Sequence, residues 1–534
     1  MAAPRSPLQG RPSPIKWLES KVQICLNDST SLETKVTATP RTDRSARQPL
    51  LSLSLDPEGP LPLHRQLYQQ LREAILGRRL TSGMRLPSSR LLTQELGISR
   101  NTVLAALDQL TAEGYLAPRR GSGSFVAALA PEPALPARQP TPRPEKAATL
   151  KPSGRSRQLA VSAPQRLVTG GAFTPGLADH REFPFALWSR LLAKSWRDPP
   201  AALVGPGEAQ GHQGLRRAIA RYLGAMRGVV CAPEQVFIVN GARQAVDLAA
   251  HALIDHGDIA CVEEPGWPGL RGTLAANGAL LVPVPVDEFG MTVASGLRVR
   301  LIAVAPSHQY PLGVTMSLAR RLELIQWAKR SDAWILEDDY DSEFRYGGRP
   351  LAALQGLDEE GRVVYVGTFS KVLFASLRLA YLVVPPELVD IVARVRPSLD
   401  DYPSAIAQPA LAEFIDAGHF VAHIRRMRRR YQARQEILLD AAGRHLSGLL
   451  DIEPCAAGMH LVARLGRALA GRQDDRTLSG LAAASGITAP ALSSYFHGPV
   501  GAQGLLLGYA PVAEDEIEPA VRRLAQALGA ARQG

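Results

Sequence analysis

The chain has 534 residues, 46% hydrophobic and 21% charged, with a formal net charge of +11. This composition excludes wholesale disorder, a collagen-like repeat and a coiled coil, and the length allows about three to four domains around a large core. No run approaches about 18 uninterrupted apolar residues, so neither a membrane-crossing helix nor a membrane partner is expected.

The N-terminus lacks the apolar core and cleavage site of a secretory signal. The four cysteines, Cys25, Cys231, Cys261 and Cys455, form no CxxC pair. A reducing cytoplasm is therefore the expected setting, with no metal site and no disulfide framework. Residues 1–165 carry 23 basic and 12 acidic side chains, whereas residues 166–534 carry 38 of each. A basic end joined to a neutral body points to nucleic acid as that end's partner, although a solubilising tail would carry the same charge.

In chain order, residues 1–60 read as a flexible extension rich in Pro, Ser, Thr and Arg. Residues 61–127 are patterned. Leu67, Leu71, Ile75 and Leu76 share one helical face. Ser88 and Ser89 are placed to cap a helix running to Leu96, Gly97 supplies a turn, and Ser99 caps a helix from about Arg100 to Glu113, which Gly114 ends. Two short helices about a glycine turn predict a helix-turn-helix whose second helix enters the major groove by its N-terminal residues, here Arg100, Asn101 and Thr102. YLAPRRGSGSFV then predicts a hairpin, with Arg119 and Arg120 preceding a glycine-rich tip that begins at Gly121 and suits a phosphate or minor-groove contact. Residues 128–165, with eight prolines, predict a semi-extended linker that could span on the order of 100 Å.

From 166 to 534, short β-branched runs (236–240, 259–265, 280–286, 301–307, 333–339 and 362–368) alternate with amphipathic stretches. That alternation predicts an α/β body with a mainly parallel sheet. Its clearest chemistry is GTFSKVLFASLR, where Lys371 follows a strand, Thr368 and Ser370 offer hydroxyls, and Arg378 is suited to a phosphate. One strand earlier stands EDDYDSEF. Pyridoxal phosphate needs a Schiff-base lysine, a carboxylate at its pyridine nitrogen and a donor at its phenolic oxygen. Lys371, either Asp338 or Asp339, and Tyr340 are the candidates. VNGARQAVDL predicts a phosphate site at Gly241, Ala242 and Arg243, at a helix N-terminus. PGW offers Trp267 as a stacking ring, and PSHQYPLG forms a loop at a strand end. His308 by itself reads as a structural histidine.

Residues 61–127 closely resemble the GntR-family winged helix. The resemblance implies DNA contacts from Arg90, Ser99, Arg100 and Thr102. Residues 166–530 resemble fold-type I aminotransferases, with a smaller C-terminal α+β subdomain. The phrases VAPSHQYPLGVTMSLARRLELIQWA, ILEDDYDSEFRYGGRPLAALQGLD and VYVGTFSKVLFASLRLAYLV make the whole of 61–530 similar to MocR-type regulators, in which such a winged helix is tethered to an aminotransferase-like domain. The resemblance implies a Schiff base at Lys371, Asp338 at the pyridine nitrogen, Tyr340 at the phenolic oxygen, Trp267 stacked on the ring, and Thr368 or Ser370 with Arg378 at the phosphate. It also implies a double-stranded DNA operator, a small amine or amino-acid effector, and a domain-swapped homodimer.

Two positions depart from the GABA-sensing members, whose carboxylate-binding arginines correspond here to Gly269 and to a stretch, AQGLLLGYA, that holds none. GABA sensing is therefore not expected. The expectation is a regulator of vitamin B6 or amino-acid metabolism, similar to the PdxR-type members, with a working aminotransferase as the alternative.

Overall fold

The computed structural model describes residues 53–119, 122–128, 153–154, 156, 170–294, 296–347 and 351–530. Arg120, Gly121, most of the predicted linker and nearly all of the predicted extension lie outside the described residues. The chain divides into two compact units, Met1–Thr149 and Leu150–Gly534.

In the smaller unit, helices α1 (Leu63–Leu76), α2 (Ser89–Leu96) and α3 (Arg100–Ala112) precede a hairpin of β1 (Leu116–Arg119) and β2 (Gly123–Val126). Its core is built from Leu67, Leu71, Leu92, Val103, Ala106 and Leu110, which repeat at helical spacing. Ser88 and Ser99 cap as predicted, the Ser88 side chain accepting from the Leu91 amide and that of Ser99 from the Thr102 amide, whereas Ser89 is the first residue of α2. Gly97 takes the left-handed conformation (φ +64°) that ends α2 and turns the chain into α3.

The larger unit is built on an eight-stranded sheet. Helices α4 (Phe185–Arg197) and α5 (Gln213–Arg227) lead into β3 (Val236–Val239), α6 (Ala242–Leu253), β4 (Ile259–Glu264), α7 (Pro268–Ala276), β5 (Leu280–Asp287), β6 (Gly290–Met291), β7 (Leu301–Val304), α8 (Leu318–Ser331), β8 (Trp334–Asp339), β9 (Val363–Thr368) and β10 (Ala380–Val383). The spatial order is β3-β10-β9-β8-β7-β4-β5-β6. The run from β5 through β4, β7 and β8 to β9 is parallel. Strand β10 is antiparallel to both β9 and β3, and β6 is a short return on β5. The central strands are buried on both faces, which accounts for their continuous apolar runs.

Pro283 and Pro285 sit in β5, whose only long neighbour is β4. The Thr292 amide donates to the Pro285 carbonyl on the far side from β4, so the missing proline donor faces the sheet edge. After α9 (Gln408–Asp416) and the long α10 (His419–His445), strands β11 (Leu450–Ile452), β12 (His460–Leu465) and β13 (Gly504–Gly508) form a separate antiparallel sheet, packed with α11 (Asp475–Ala484) and α12 (Glu514–Ala530). No helix among the described residues is long and apolar enough to cross a membrane.

Candidate functional site

Side chains alternate between faces along a strand, and β8 uses this to separate three adjacent carboxylates. Glu337 accepts the amides of Leu354 and Gln355. Asp339, on the same face, pairs with Arg227 at 2.9 Å and accepts the Tyr365 hydroxyl at 2.5 Å. Asp338 points the other way, and its Oδ1 is buried without a hydrogen-bond partner. Each aspartate leaves its Oδ1 without a partner, but Asp339 is tied through Oδ2 to Arg227 and Tyr365 on the opposite face, and Asp338 alone of the two lines the cleft. Burial, reinforced by Asp339, raises Asp338 to about 7.

Asp338 lines a small cleft together with Trp267, Glu263, Ala303 and Tyr310. The cleft lies at the carboxyl ends of β4, β7 and β8, where parallel sheets bind ligands. Trp267 immediately precedes α7. Glu263, the last residue but one of β4, was not singled out from the sequence; it accepts the Ala305 amide, and burial raises it to about 8.

Lys371 follows β9. Its Nζ donates to the Gly176 carbonyl at 2.7 Å, a contact 195 residues distant that no local pattern signals. Gly176 takes a left-handed backbone (φ +73°), and a Cβ there would stand 2.8 Å from Nζ and displace the lysine tip. Burial lowers the Lys371 pKa, opposed by the charges of Asp341 and Asp338. Ser370 Oγ is buried without a partner, while its amide donates to Thr368 Oγ1.

The stretch Ala375–Leu377, where the sequence departs from the usual family pattern, forms a single tight turn, and Arg378 leaves it with φ +52°. That backbone brings its guanidinium to Gly241, the residue that opens α6 with φ +128°; a Cβ there would stand 2.9 Å from an Arg378 nitrogen. The amides of Ala242 and Arg243 belong to the first helical turn, beyond the reach of any intrahelical carbonyl. The Arg243 side chain is exposed, so only its backbone can serve this site. Tyr340 Oη lies 2.9 Å from His308 Nδ1, which also faces the Asp341 carboxylate at 3.0 Å. An open carboxylate, an open hydroxyl, a buried lysine and an arginine over a glycine helix start match a phosphorylated pyridine aldehyde in donor and acceptor type.

In the smaller unit, Arg90, Ser99, Arg100, Asn101 and Arg119 are exposed and Thr102 is half-buried. Ser99 Oγ accepts the Thr102 amide and lies 2.8 Å from Thr102 Oγ1, so it also shapes the start of α3. Arg119 packs its guanidinium over the Phe125 ring at 4.7 Å, which fixes it on the hairpin.

Residues 63–126 match the model of the bacterial regulatory proteins of the gntR family, and residues 204–495 that of aminotransferase class I and II. The chain is 45% identical to the probable rhizopine catabolism regulatory protein MocR of Rhizobium meliloti, over 89% of this chain and 96% of that one. It is 32% identical to the pyridoxine biosynthesis transcriptional regulator PdxR of Corynebacterium glutamicum, over 90% and 98%. Among solved structures, LysN, an α-aminoadipate aminotransferase of Thermus thermophilus complexed with a phosphopyridoxyl-leucine, matches with TM-score 0.62 and 26% identity, over 71% of this chain and 95% of that one. The chain belongs to the MocR-type regulators: DNA-binding transcriptional regulators that join a GntR-family winged helix to a pyridoxal-phosphate-binding domain of the class I and II aminotransferase fold.

Proposed function

We propose that this regulator reads pyridoxal phosphate, or an amine that meets it, in the cleft beside Asp338 and passes the result to an operator held by the winged helix. The observation that carries the reading is the buried, unpartnered Asp338 Oδ1 in the cleft that Trp267 lines. In this reading Asp338 accepts the pyridine N–H and Trp267 covers the ring. Tyr340 serves the phenolic oxygen. Thr368, Ser370, Arg378 and the amides of Ala242 and Arg243 hold the phosphate. Lys371 presents an amine whose protonation burial disfavours. When bound, the cofactor supplies an electrophilic aldehyde and an electron sink for amine chemistry.

The effector we favour has no carboxylate that needs a guanidinium. Gly269 lies against Trp267, and a Cβ there would stand 2.5 Å from the indole. The arginine that does line the cleft, Arg271, is engaged by Glu264 and by the Tyr495 carbonyl. This supports control of vitamin B6 metabolism over GABA sensing.

On the DNA side, Arg100, Asn101 and Thr102 meet base edges or phosphates from the start of α3, joined by Arg90, Ser99 and the hairpin residue Arg119; Arg120 and Gly121, outside the described residues, are assigned to the same partner from the sequence alone. A linker of 38 residues permits a domain-swapped dimer, and the cytoplasm is the compartment such a regulator occupies.

The test is a footprint upstream of the chain's own gene, with and without pyridoxal phosphate. A cofactor-dependent change in protection is expected, and an identical footprint in both conditions overturns the sensing role. Lys371, Asp338 and Arg378 would equally serve transamination, so steady turnover of an amine against a keto acid would favour the catalytic reading.

A further inference from the structure

A chain of buried polar groups, beyond those assigned to the cofactor, runs from the end of β8 to the loop between β11 and β12. Asp341 follows β8, His308 follows β7, and Cys455 lies five residues before His460, the first residue of β12. His308 Nδ1 is 3.0 and 3.1 Å from the two Asp341 oxygens, and its Nε2 is 3.8 Å from Cys455 Sγ. Thiol, imidazole and carboxylate stand in the order that activates a nucleophilic cysteine.

The imidazole is clamped in this pose. Gly458 (φ +95°) lies so close to one side of the ring that a Cβ there would overlap it, and the His460 ring stands 5.3 Å away. Gly313 (φ +77°) leaves the space beside Nε2 and Sγ free of any side chain. His308 and Asp341 are fully buried, whereas Cys455 is only half-buried.

We propose that Cys455 is a modification site for small hydroperoxides, activated by His308 and oriented through Asp341. The thiolate sulfur attacks one peroxide oxygen. An S–O bond forms as the O–O bond breaks, sulfur loses two electrons to the peroxide, and a sulfenic acid results. The departing oxyanion takes the proton on His308 Nε2 and leaves as water from hydrogen peroxide, or as the alcohol from an organic hydroperoxide.

The surrounding charges favour the starting ion pair. Burial opposes protonation of His308, but Asp341 outweighs it and holds the imidazole up at about 10. Burial pushes the Cys455 thiol up, and the hydrogen bond and charge of His308 bring it below the ordinary thiol value. The other groups facing the pair are Tyr340, His460, Tyr509 and, through the cleft, Lys371. His460 stays neutral, pushed down to about 3 by burial and the His308 charge. The Gly313 carbonyl, 3.6 Å from Sγ, is an acceptor for the neutral thiol. Cys231, also half-buried, has no such partner, and burial pushes it to about 11. Because Tyr340 meets the imidazole that Cys455 faces, oxidation alters a contact at the edge of the cofactor cleft.

The test uses the full-length protein with pyridoxal phosphate bound. Iodoacetamide alkylation is followed by peptide mass spectrometry at pH 6.5 and 8.5, and hydrogen peroxide is added separately with dimedone as trap. Cys455 should be alkylated at least tenfold faster than Cys231 at pH 6.5, with a narrower gap at pH 8.5, and should acquire the dimedone adduct. His308→Gln should reduce its rate to that of Cys231. Since loss of a buried imidazolium can also unfold the subdomain, the wild-type pH profile stands as a measurement that needs no substitution. Equal alkylation of the two cysteines at pH 6.5, or peroxide treatment that leaves Cys455 without adduct, overturns the proposal.

Discussion

Arg90, Arg100, Asn101 and Arg119 stand exposed on two short helices and a hairpin, whereas Asp338 and Ser370 are sunk among strand ends with oxygens that no protein group satisfies. The two regions are built to opposite electrostatic rules. Cations on the smaller unit stay hydrated and charged, so they suit a partner that arrives with its own charge and releases counterions. The larger unit takes carboxylates and an amine out of water, which shifts their protonation and leaves bonds for a specific ligand to complete. Substitutions on the first surface should change binding while sparing the fold; those in the second should change ligand retention and stability together.

The sharpest way to break this contrast is Lys371→Ala. The visible absorbance that develops when pyridoxal phosphate is added should vanish, while operator affinity of the cofactor-free protein stays within error of wild type. A retained band would remove Lys371 from the cleft's chemistry.

Asp338→Asn should weaken cofactor retention by about 1.5–3 kcal/mol, the worth of a hydrogen bond to a charged group, as read by equilibrium dialysis. The same variant sharpens the burial argument through pH. Asp338 is raised to about 7 and Glu263 to about 8, so the folded, cofactor-free unit holds protons that the unfolded chain has released. Their contribution to stability is present below about pH 4 and is lost as pH rises through 7–8, at up to about 1.4 kcal/mol per pH unit for each group. Denaturation midpoints of the cofactor-free protein should fall from pH 5 to pH 8, and Asp338→Asn should flatten that fall. A midpoint that rises across this range contradicts the assignment of Asp338 as a neutral buried acid.

The smallest expected effect is on the exposed side. Arg100→Ala should cost about 1–3 kcal/mol of operator affinity in a gel-shift titration with no change in the cofactor spectrum. Unchanged affinity would take Arg100 off the DNA face.

Much of this contrast was legible in the sequence, because caps, glycine turns and strand runs are local signals. Ser88, Gly97 and Ser99 specify the helix-turn-helix within a dozen residues, and the six apolar runs of the larger unit all became strands. The cleft was legible only as a set of residue types. By residue type EDD leaves Asp338 and Asp339 equivalent; the family resemblance picks Asp338, and strand alternation, Arg227 and Tyr365 supply the physical reason. Gly176, Glu263 and the His308–Cys455 contact went unread because their partners lie 42 to 195 residues away in the chain. Strand β10, AYLV, was not among the runs read from the sequence.

The two prolines of β5 carry a consequence for assembly. An open sheet margin invites a strand from another molecule, and here Pro283 and Pro285 offer no N–H on that margin while the Pro285 carbonyl is already taken by the Thr292 amide. The margin beside Pro283 and Pro285 is thereby a poor template for a strand from a second molecule.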